Sequence, residues 1–296
     1  MTGKQVQGIY AALLTPRHQD NRVDPAGTSR LVEFLVRNGV RSYALNGATG
    51  EFCLTAPTDL RTSFRAVRDT AGDSVDLLCG IGAAGLADSI ELAHIAQEEG
   101  ARALLVSSPY FFPYQQDDVE AFFRTLASSV SLPIMLYNLP QFTTGLQVET
   151  ACALIRDVPN IIGIKDSSGS LDILRALTQR GIPACRIIGN DGALVAALQE
   201  GLCDGVVSGV ACVLPELIQS VYSDQAGPAA GLLDEFIAQI DVFPTPWGLK
   251  WIAEARGILK ASFAQPVSAR RNSQSASLMS WFQQWQASVQ SDLATK

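Results

Sequence analysis

Residues 103–137 read ALLVSSPYFFPYQQDDVEAFFRTLASSVSLPIMLY, and this stretch carries the pattern that decides the fold. It begins with a short apolar run, Ala103–Ser107, and ends with another, Pro133–Tyr137. Between them, Gln116–Ser129 has the amphipathic spacing of a helix. Strands that are buried on both faces appear as continuous apolar runs, as these two do. The stretch therefore predicts one strand–helix–strand unit.

The same alternation extends over most of the chain. Eight apolar runs are predicted strands: Gly8–Leu14, Ser42–Asn46, Val75–Gly80, Ala103–Ser107, Pro133–Tyr137, Ile161–Lys165, Arg186–Gly189 and Gly205–Ser208. Predicted helices include Pro25–Asn38, Pro57–Thr70, Leu86–Glu99, Gln116–Ser129, Val148–Arg156 and Leu171–Gln179. Eight such units predict an α/β fold, the (β/α)8 TIM barrel. A doubly wound sheet is the alternative, but it seldom needs eight strands at such regular spacing.

Chain length is compatible with two arrangements. The 296 residues could form two ordinary domains of roughly 150 residues, or one barrel of roughly 200–250 residues with an extension. The strand count favours the barrel, which we place at residues 1–215. After Pro215 the strand-like runs stop, so residues 216–296 are predicted to be a C-terminal helical extension packed on the barrel.

Composition and charge exclude several classes of protein. With 47% hydrophobic residues the chain is not predicted to be disordered, and its net charge of −7 argues against nucleic acid or an anionic membrane as partner. No apolar run approaches the roughly 18 residues that would span a bilayer. The start, Met1–Gln7, lacks the apolar segment of a secretory signal. The six cysteines are scattered and form no CxxC pair, as is typical of reduced proteins. We therefore predict a cytoplasmic location.

The distribution of lysine singles out one residue. Five of the 22 basic residues are lysines, and Lys165 is the only one between Lys4 and Lys250. It ends the sixth apolar run, where a lysine is costly unless it is paired or functional. Burial favours the neutral amine that a Schiff-base nucleophile requires. Because catalytic groups of such barrels lie where strands end, Lys165 is a candidate nucleophile. The alternative is an exposed ion pair with Asp166.

Two other strand ends carry candidate groups. The second run leads into Asn46–Glu51, NGATGE, whose glycines permit a tight turn. Backbone N–H groups at Ala48 and Thr49, together with the Thr49 hydroxyl, could then bind an anion, although an ordinary turn would also explain the motif. Tyr137 ends the fifth run and is either a catalytic hydroxyl or an amphipathic plug at the barrel mouth.

Small and polar residues end the last two predicted strands. Gly189 and Asp191 follow the seventh run, and Ser208 ends the eighth. Such groups are suited to binding substrate hydroxyls, so we predict that all three bind substrate. Turn chemistry alone would also account for them.

A competing motif favours a different class of enzyme. Gly80–Gly85, GIGAAG, follows a strand and precedes a helix, as in the fingerprint of dinucleotide-binding sheets. That fingerprint also needs a carboxylate at the end of the next strand, which reads Leu104–Ser108 without one. An NAD-dependent oxidoreductase using Gly80–Gly85 is therefore disfavoured as the alternative from another class. With His18 and His94 as the only histidines, we expect no His-rich metal site, and no GxSxG serine motif is present.

Six motifs lie at or near the predicted strand ends. They are Leu14–Pro16 (LTP), Gly47–Glu51 (GATGE), Pro109–Tyr110 (PY), Tyr137–Pro140 (YNLP), Gly163–Asp166 (GIKD) and Gly189–Asp191 (GND). Together they resemble the dihydrodipicolinate synthase / N-acetylneuraminate lyase family of pyruvate-type class I aldolases, over nearly the whole chain. The resemblance implies a barrel with a three-helix tail, a homotetramer built as a dimer of dimers, and no metal or organic cofactor.

The resemblance also implies roles for individual residues. Lys165 would form an imine with the keto carbon of a 2-oxo acid, and Tyr137 would carry protons and steady the reacting oxygen. The amides of Ala48 and Thr49, with the Thr49 hydroxyl, would hold the substrate carboxylate. A protonated imine is an electron sink that permits proton loss or C–C cleavage beside it.

Three positions depart from the pattern of true dihydrodipicolinate synthases. Those enzymes carry a Thr at Ala48, a second Tyr at Phe111, and an Arg at Phe142 that binds aspartate semialdehyde. We therefore predict a related lyase that acts on a 2-oxo acid. It would carry out aldol cleavage or condensation with pyruvate, or dehydration of a 2-keto-3-deoxy sugar acid whose hydroxyls contact Asp191 and Ser208. The alternative is 4-hydroxy-tetrahydrodipicolinate synthase, an enzyme of lysine biosynthesis.

Overall fold

Eight parallel strands form a closed barrel in the computed structural model, which describes residues 6–293 and the side chains of residues 6–289. Each strand pairs with its neighbours in chain order, and β8 closes the barrel on β1. The strands are β1 (Gly8–Ala12), β2 (Ser42–Leu45), β3 (Asp76–Gly80), β4 (Ala103–Ser107), β5 (Ile134–Asn138), β6 (Ile161–Asp166), β7 (Cys185–Ile188) and β8 (Gly205–Ser208). The predicted (β/α)8 barrel is confirmed.

Helices follow the strands as predicted. They are α1 (Pro25–Arg37), α2 (Pro57–Ala71), α3 (Leu86–Glu98), α4 (Gln116–Ser129), α5 (Val148–Asp157), α6 (Asp172–Gln179), α7 (Leu194–Gln199), α8 (Pro215–Ser223), α9 (Ala229–Ile240), α10 (Trp247–Ala255) and α11 (Ala269–Leu293). Predicted and observed bounds of α1–α6 agree to within one residue. The agreement has a local cause, because Pro25 and Pro57 occupy first-turn positions, where a missing N–H costs nothing.

The C-terminal part of the chain is helical and packs on the barrel. Helix α8 completes the eighth strand–helix unit and ends at Ser223, and α9–α11 follow it. The boundary at residue 215 stays a prediction. Phe236 on α9 packs its ring against Phe282 and Trp285 of α11, and Trp285 Nε1 donates to Glu235 at 3.0 Å. Aromatic contacts of this kind hold α11 against α9.

Apolar side chains form two separate clusters. One fills the inside of the barrel and includes Tyr10, Leu105, Met135 and Ile187. The other lies between the strands and the helices and extends under α9–α11. Successive residues of a strand point to opposite faces, so each strand contributes alternately to the two clusters. Tyr137 belongs to the inner one.

The register of β6 changes within the strand, and this change places Lys165. Ile161 pairs with Ile134, but Gly163 pairs with Met135, so β6 contains one extra residue there. Ile161 and Ile164 both belong to the outer cluster although they are three residues apart. A bulge of one residue reverses the alternation of side chains beyond it. Lys165 therefore lies level with Tyr137 on the inner face, whereas unbroken alternation from Ile161 would place it on the outer one.

None of the helices within residues 6–293 is long and apolar enough to span a lipid bilayer. The expected absence of a secretory signal concerns Met1–Gln7. Residues 1–5 of that segment lie outside the described part of the chain.

Two glycines provide a test of the close approach of β6 and β7. A Cβ on Gly163 would lie 2.1 Å from the backbone oxygen of Cys185 on β7, and backbone cannot move aside cheaply. We expect Gly163→Ala to destabilise the protein by about 3 kcal/mol or more, seen as a lower midpoint of thermal unfolding at fixed scan rate.

Gly231 on α9 is the matched control. A Cβ there would meet no atom within 4 Å, and alanine has the higher helix propensity. Gly231→Ala should therefore leave stability unchanged or raise it by up to about 1 kcal/mol. Equal midpoints for the two variants would contradict the close approach of β6 and β7.

Candidate active site

A cavity of about 360 Å³ opens at the carboxyl ends of the strands, the end at which barrels of this class carry their active sites. The structure brings six of the seven predicted site residues to its wall: Ala48, Thr49, Tyr137, Lys165, Gly189 and Asp191. These residues come from four separate loops and strand ends, so the fold has gathered groups that are up to 143 positions apart in the sequence.

Lys165 and Tyr137 form the base of the cavity. Lys165 is only 3% exposed, and its Nζ lies 4.0 Å from the centre of the Tyr137 ring. Within the described residues Lys165 forms no ion pair, and the Tyr137 hydroxyl makes no hydrogen bond. Both polar groups are therefore available to a bound molecule.

Two glycines leave room for this pair. A Cβ on Gly189 would lie 2.1 Å from Ser167 Oγ and 2.6 Å from Lys165 Cε. Gly189 therefore lets the lysine side chain pass beside it. A Cβ on Gly47 would lie 3.9 Å from Tyr137 Oη and 4.0 Å from Lys165 Nζ. Because Gly47 has no side chain, the space next to both groups stays open.

The loop after β2 supplies unpaired N–H groups. The Glu51 N–H donates to the Ala48 oxygen at 3.0 Å, and the Phe52 N–H donates to the Gly47 oxygen at 3.2 Å, which closes a tight turn. Among the described residues, the N–H groups of Ala48 and Thr49 donate to no protein acceptor. A pair of unpaired N–H groups on a cavity wall is an anion site in chemical terms.

Asp191 lines the same cavity. Its Oδ2 accepts from the Val210 N–H at 3.1 Å, while its Oδ1 is buried and has no hydrogen-bond donor within the described residues. Burial raises the pKa of Asp191, against the opposing effects of Ser208 and the Val210 N–H. Its carboxylate is an acceptor on the cavity wall.

Ser208 is the predicted site residue that does not reach the cavity wall. It is fully buried, and its hydroxyl accepts from the Ala211 N–H at 2.8 Å. Val207, one residue earlier, lines the cavity, and successive strand residues face opposite sides, so the Ser208 side chain points away from the open space and lies against Asp191.

Asp166 does not pair with Lys165, contrary to the alternative considered for this lysine. It is buried, and its Oδ1 accepts from Asn138 Nδ2 at 3.1 Å and from the Ser168 N–H at 2.9 Å. Burial raises its pKa, and these hydrogen bonds oppose that shift. Consecutive residues of β6 face opposite sides, so Asp166 points away from Lys165. Its carboxylate instead links the ends of β5 and β6.

Comparisons with known proteins agree with this geometry. The sequence model described as the dihydrodipicolinate synthetase family matches residues 5–285. The chain belongs to this family. A 4-hydroxy-tetrahydrodipicolinate synthase of Bdellovibrio bacteriovorus is 30% identical over 268 residues, which cover 88% of this chain and 90% of that protein.

Solved structures of relatives have the same architecture. A dihydrodipicolinate synthase from Aquifex aeolicus superposes with a TM-score of 0.85 at 24% identity, covering 94% of this chain and 98% of that one. YagE, a prophage protein of the family from E. coli K12 solved with pyruvate, superposes with a TM-score of 0.83 at 26% identity, covering 95% and 99%. As a member of the dihydrodipicolinate synthetase family, this chain is a lyase of the class I aldolase type.

The glycines of Gly80–Gly85 have a packing role in this family member. A Cβ on Gly80 would lie 2.0 Å from the Asn46 oxygen, and one on Gly82 would lie 2.7 Å from both Phe52 and Ser107. The backbone there is covered by the loop after β2, and these residues do not line the cavity. Close packing accounts for the GxGxxG spacing without a dinucleotide.

Sequence reasoning missed a buried ionic cluster behind the loop after β2. Glu51, Arg17 and Lys250 are all buried. Lys250 Nζ lies 2.7 Å and Arg17 Nε 3.5 Å from Glu51 Oε2. Burial lowers the pKa of Lys250, and the neighbouring Glu51 opposes that shift. The sequence contained a signal for this cluster, because Lys250 stands between Leu249 and Trp251 in an otherwise apolar segment.

The raised pKa of Asp191 predicts a pH-dependent gain in stability on its removal. Above about pH 4, the ordinary value for Asp, the unfolded chain ionises more readily than the folded one, so the carboxylate destabilises the fold. Asn keeps an acceptor for the Val210 N–H. We expect Asp191→Asn to raise the thermal midpoint at pH 7.5, and the gain to shrink as the pH falls towards 4.

Exposed Asp234 on α9 is the control position. Asp234→Asn should shift the midpoint little at either pH. A loss of stability in Asp191→Asn at pH 7.5 would show that burial is not the dominant influence on this carboxylate.

Proposed function

We propose that Lys165 forms a protonated imine with the keto carbon of a 2-oxo acid. The observation that carries this proposal is the position of its amine, which is buried at the base of the cavity and has no ion-pair partner within the described residues. An amine on a cavity wall without a protein partner can reach a carbonyl carbon bound there.

The amine attacks the keto carbon, and Tyr137 donates its proton to the departing hydroxyl, which leaves as water and gives the protonated imine. In aldol cleavage, the Tyr137 phenolate accepts the proton of the C4 hydroxyl, and the C3–C4 bonding electrons move into the imine. Tyr137 returns this proton to C3 of the enamine, and water then releases pyruvate and restores the amine and the phenol. In dehydration, C3 loses a proton and the C4 hydroxyl leaves as water.

The loop after β2 is suited to the substrate carboxylate. The N–H groups of Ala48 and Thr49 have no protein acceptor within the described residues, and both residues line the cavity. A carboxylate held there lies beside Gly47, whose missing side chain opens the space next to Lys165 and Tyr137. Binding by backbone groups would orient the keto carbon towards the amine.

The charged side chains that line the cavity favour substrate hydroxyl groups over a second substrate carboxylate. Among the described lining residues Lys165 is the single basic side chain, whereas Asp191 and Asp241 are acidic. The Asp191 carboxylate lines the cavity, and a carboxylate can accept a hydrogen bond from a substrate hydroxyl. Phe142 also lines the cavity, and it stands at the position where the related synthases carry an Arg. A site without a charged clamp discriminates against the substrate that needs it.

We therefore propose a 2-keto-3-deoxy sugar acid as substrate, cleaved to pyruvate and an aldehyde or dehydrated. In this proposal Asp191 accepts from a substrate hydroxyl, and Ser208 positions Asp191 without touching substrate. The alternative is 4-hydroxy-tetrahydrodipicolinate synthase, the name carried by relatives such as the one from Bdellovibrio bacteriovorus.

We also propose that the enzyme is a cytoplasmic homotetramer that needs no cofactor. All six cysteines are free, as expected of a reducing compartment. Phe111 and Phe112 are 86% and 62% exposed. Neighbouring exposed apolar side chains are typical of a surface that contacts another subunit.

Reductive trapping tests the imine. With pyruvate and borohydride, we expect Lys165 to be alkylated and the adduct to appear in the mass spectrum of its peptide. Lys165→Ala should abolish the adduct, and Lys260→Ala should not, since Lys260 is an exposed lysine outside the cavity. Absence of an adduct in the wild-type protein at saturating 2-oxo acid would overturn the imine proposal.

A comparison of two substrates tests whether the cavity prefers hydroxyl groups to a second carboxylate. We expect kcat/KM for a 2-keto-3-deoxy sugar acid to exceed that for pyruvate with aspartate semialdehyde by about 100-fold or more. Pyruvate release and dehydration would be measured separately for the sugar acid. A reversed preference would instead support the synthase.

Phe142→Arg provides the complementary variant. Because it adds the missing cation to the cavity wall, it should raise kcat/KM for aspartate semialdehyde relative to the sugar acid. An unchanged ratio would mean that residue 142 does not face the second substrate.

A further inference from the structure

Two residues around the proposed carboxylate loop adopt a costly backbone conformation. Asn46 and Glu51 have φ values of 54° and 59°, in the left-handed region that residues with side chains rarely occupy. Such conformations persist where surrounding contacts over-determine them. Asn46 is held by its side chain, whose Nδ2 donates to the Gly80 oxygen at 2.8 Å.

Glu51 is held by its carboxylate, which lies in the buried ionic cluster. Lys250 Nζ donates to Glu51 Oε2 at 2.7 Å and to the Ser262 oxygen at 2.7 Å. Arg17 approaches the same carboxylate oxygen at 3.5 Å, and its Nη1 donates to the Asn21 oxygen at 2.9 Å. The two basic groups come from α10 and from the loop after β1, so the loop after β2 is held from two directions.

The cluster also connects two walls of the cavity. Helix α10 carries Lys250 and, immediately before it, Gly248 and Leu249, which line the cavity. On the other side, Glu51 directly follows the turn that contains Ala48 and Thr49. Movement at the ion pair would therefore change the distance between the helical extension and the N–H groups that face the cavity.

We propose that Lys250 is a positioning residue that acts through Glu51 and holds the loop Gly47–Glu51 in its substrate-binding conformation. Lys250 does not touch the substrate in this proposal. It links the C-terminal extension to the active site, so the extension contributes to function and not only to stability. The proposal rests on the proposed function for the identity of the ligand, a 2-oxo acid.

A purely structural ion pair would behave differently from a positioning one. Removing one partner of a buried pair leaves an uncompensated charge and destabilises the protein, whereas replacing both partners is often neutral. Replacing Glu51 and Lys250 alone would leave Arg17 buried without its carboxylate. A triple variant that replaces all three charged residues therefore restores stability without restoring the link between α10 and the loop. This difference separates the two roles.

Kinetics of three variants test the proposal. We expect Lys250→Met to raise KM for the 2-oxo acid by about tenfold with a much smaller change in kcat, and Lys260→Met to leave both unchanged. The triple variant Arg17→Met/Glu51→Gln/Lys250→Met should recover thermal stability relative to Lys250→Met but keep the raised KM. Recovery of both quantities in the triple variant, or an unchanged KM in Lys250→Met, would overturn the proposal.

Hydrogen exchange provides a readout that does not depend on imine formation. In the full-length protein, Lys250→Met and the triple variant should both exchange the amides of residues 47–52 faster than the wild type, while the peptide over β5 stays as slow. Unchanged exchange in residues 47–52 would overturn the positioning role even where trapping of Lys165 succeeds. Faster exchange without any trapped adduct would support the positioning role and reject the proposed chemistry.

Discussion

The inside of an eight-stranded barrel is reached by alternate residues of each strand, and every side chain placed there must fit a closed space. In this protein the constraint falls on β6. One extra residue in its pairing with β5 reverses the alternation and places Lys165 beside Tyr137 on the inner face. Without the bulge the same lysine would lie among the helices, and the cavity would have no amine at its base.

The surrounding glycines follow from the same constraint. Gly163 accommodates the close approach of β7, and Gly189 leaves a path for the lysine side chain. Gly47 keeps the space above the amine open. In each case the absence of a side chain, more than backbone flexibility, is what the site requires. The three residues lie in motifs that are apart in sequence but meet around one amine.

The polar groups of the site come from separate strand ends and loops. Within the described residues Lys165 forms no ion pair, and the unpaired N–H groups of Ala48 and Thr49 line the same cavity as Asp191. Glu51, Arg17 and Lys250 pair with one another behind the loop. This separation leaves the amine free for covalent chemistry, while the cluster uses its charges to hold the conformation of the loop.

The sequence by itself determined the barrel, the bounds of most elements and the fact that Lys165, Tyr137 and the loop after β2 lie at strand ends, because hydrophobic period, Pro and Gly are local signals. It did not determine that the Ser208 side chain points away from the cavity, since the face of a strand residue depends on how the strand is paired. Nor did it reveal the bulge in β6 or the contact between Glu51 and Lys250, which join residues 199 positions apart. Those features depend on pairing register and long-range packing, and only the tertiary structure decides them.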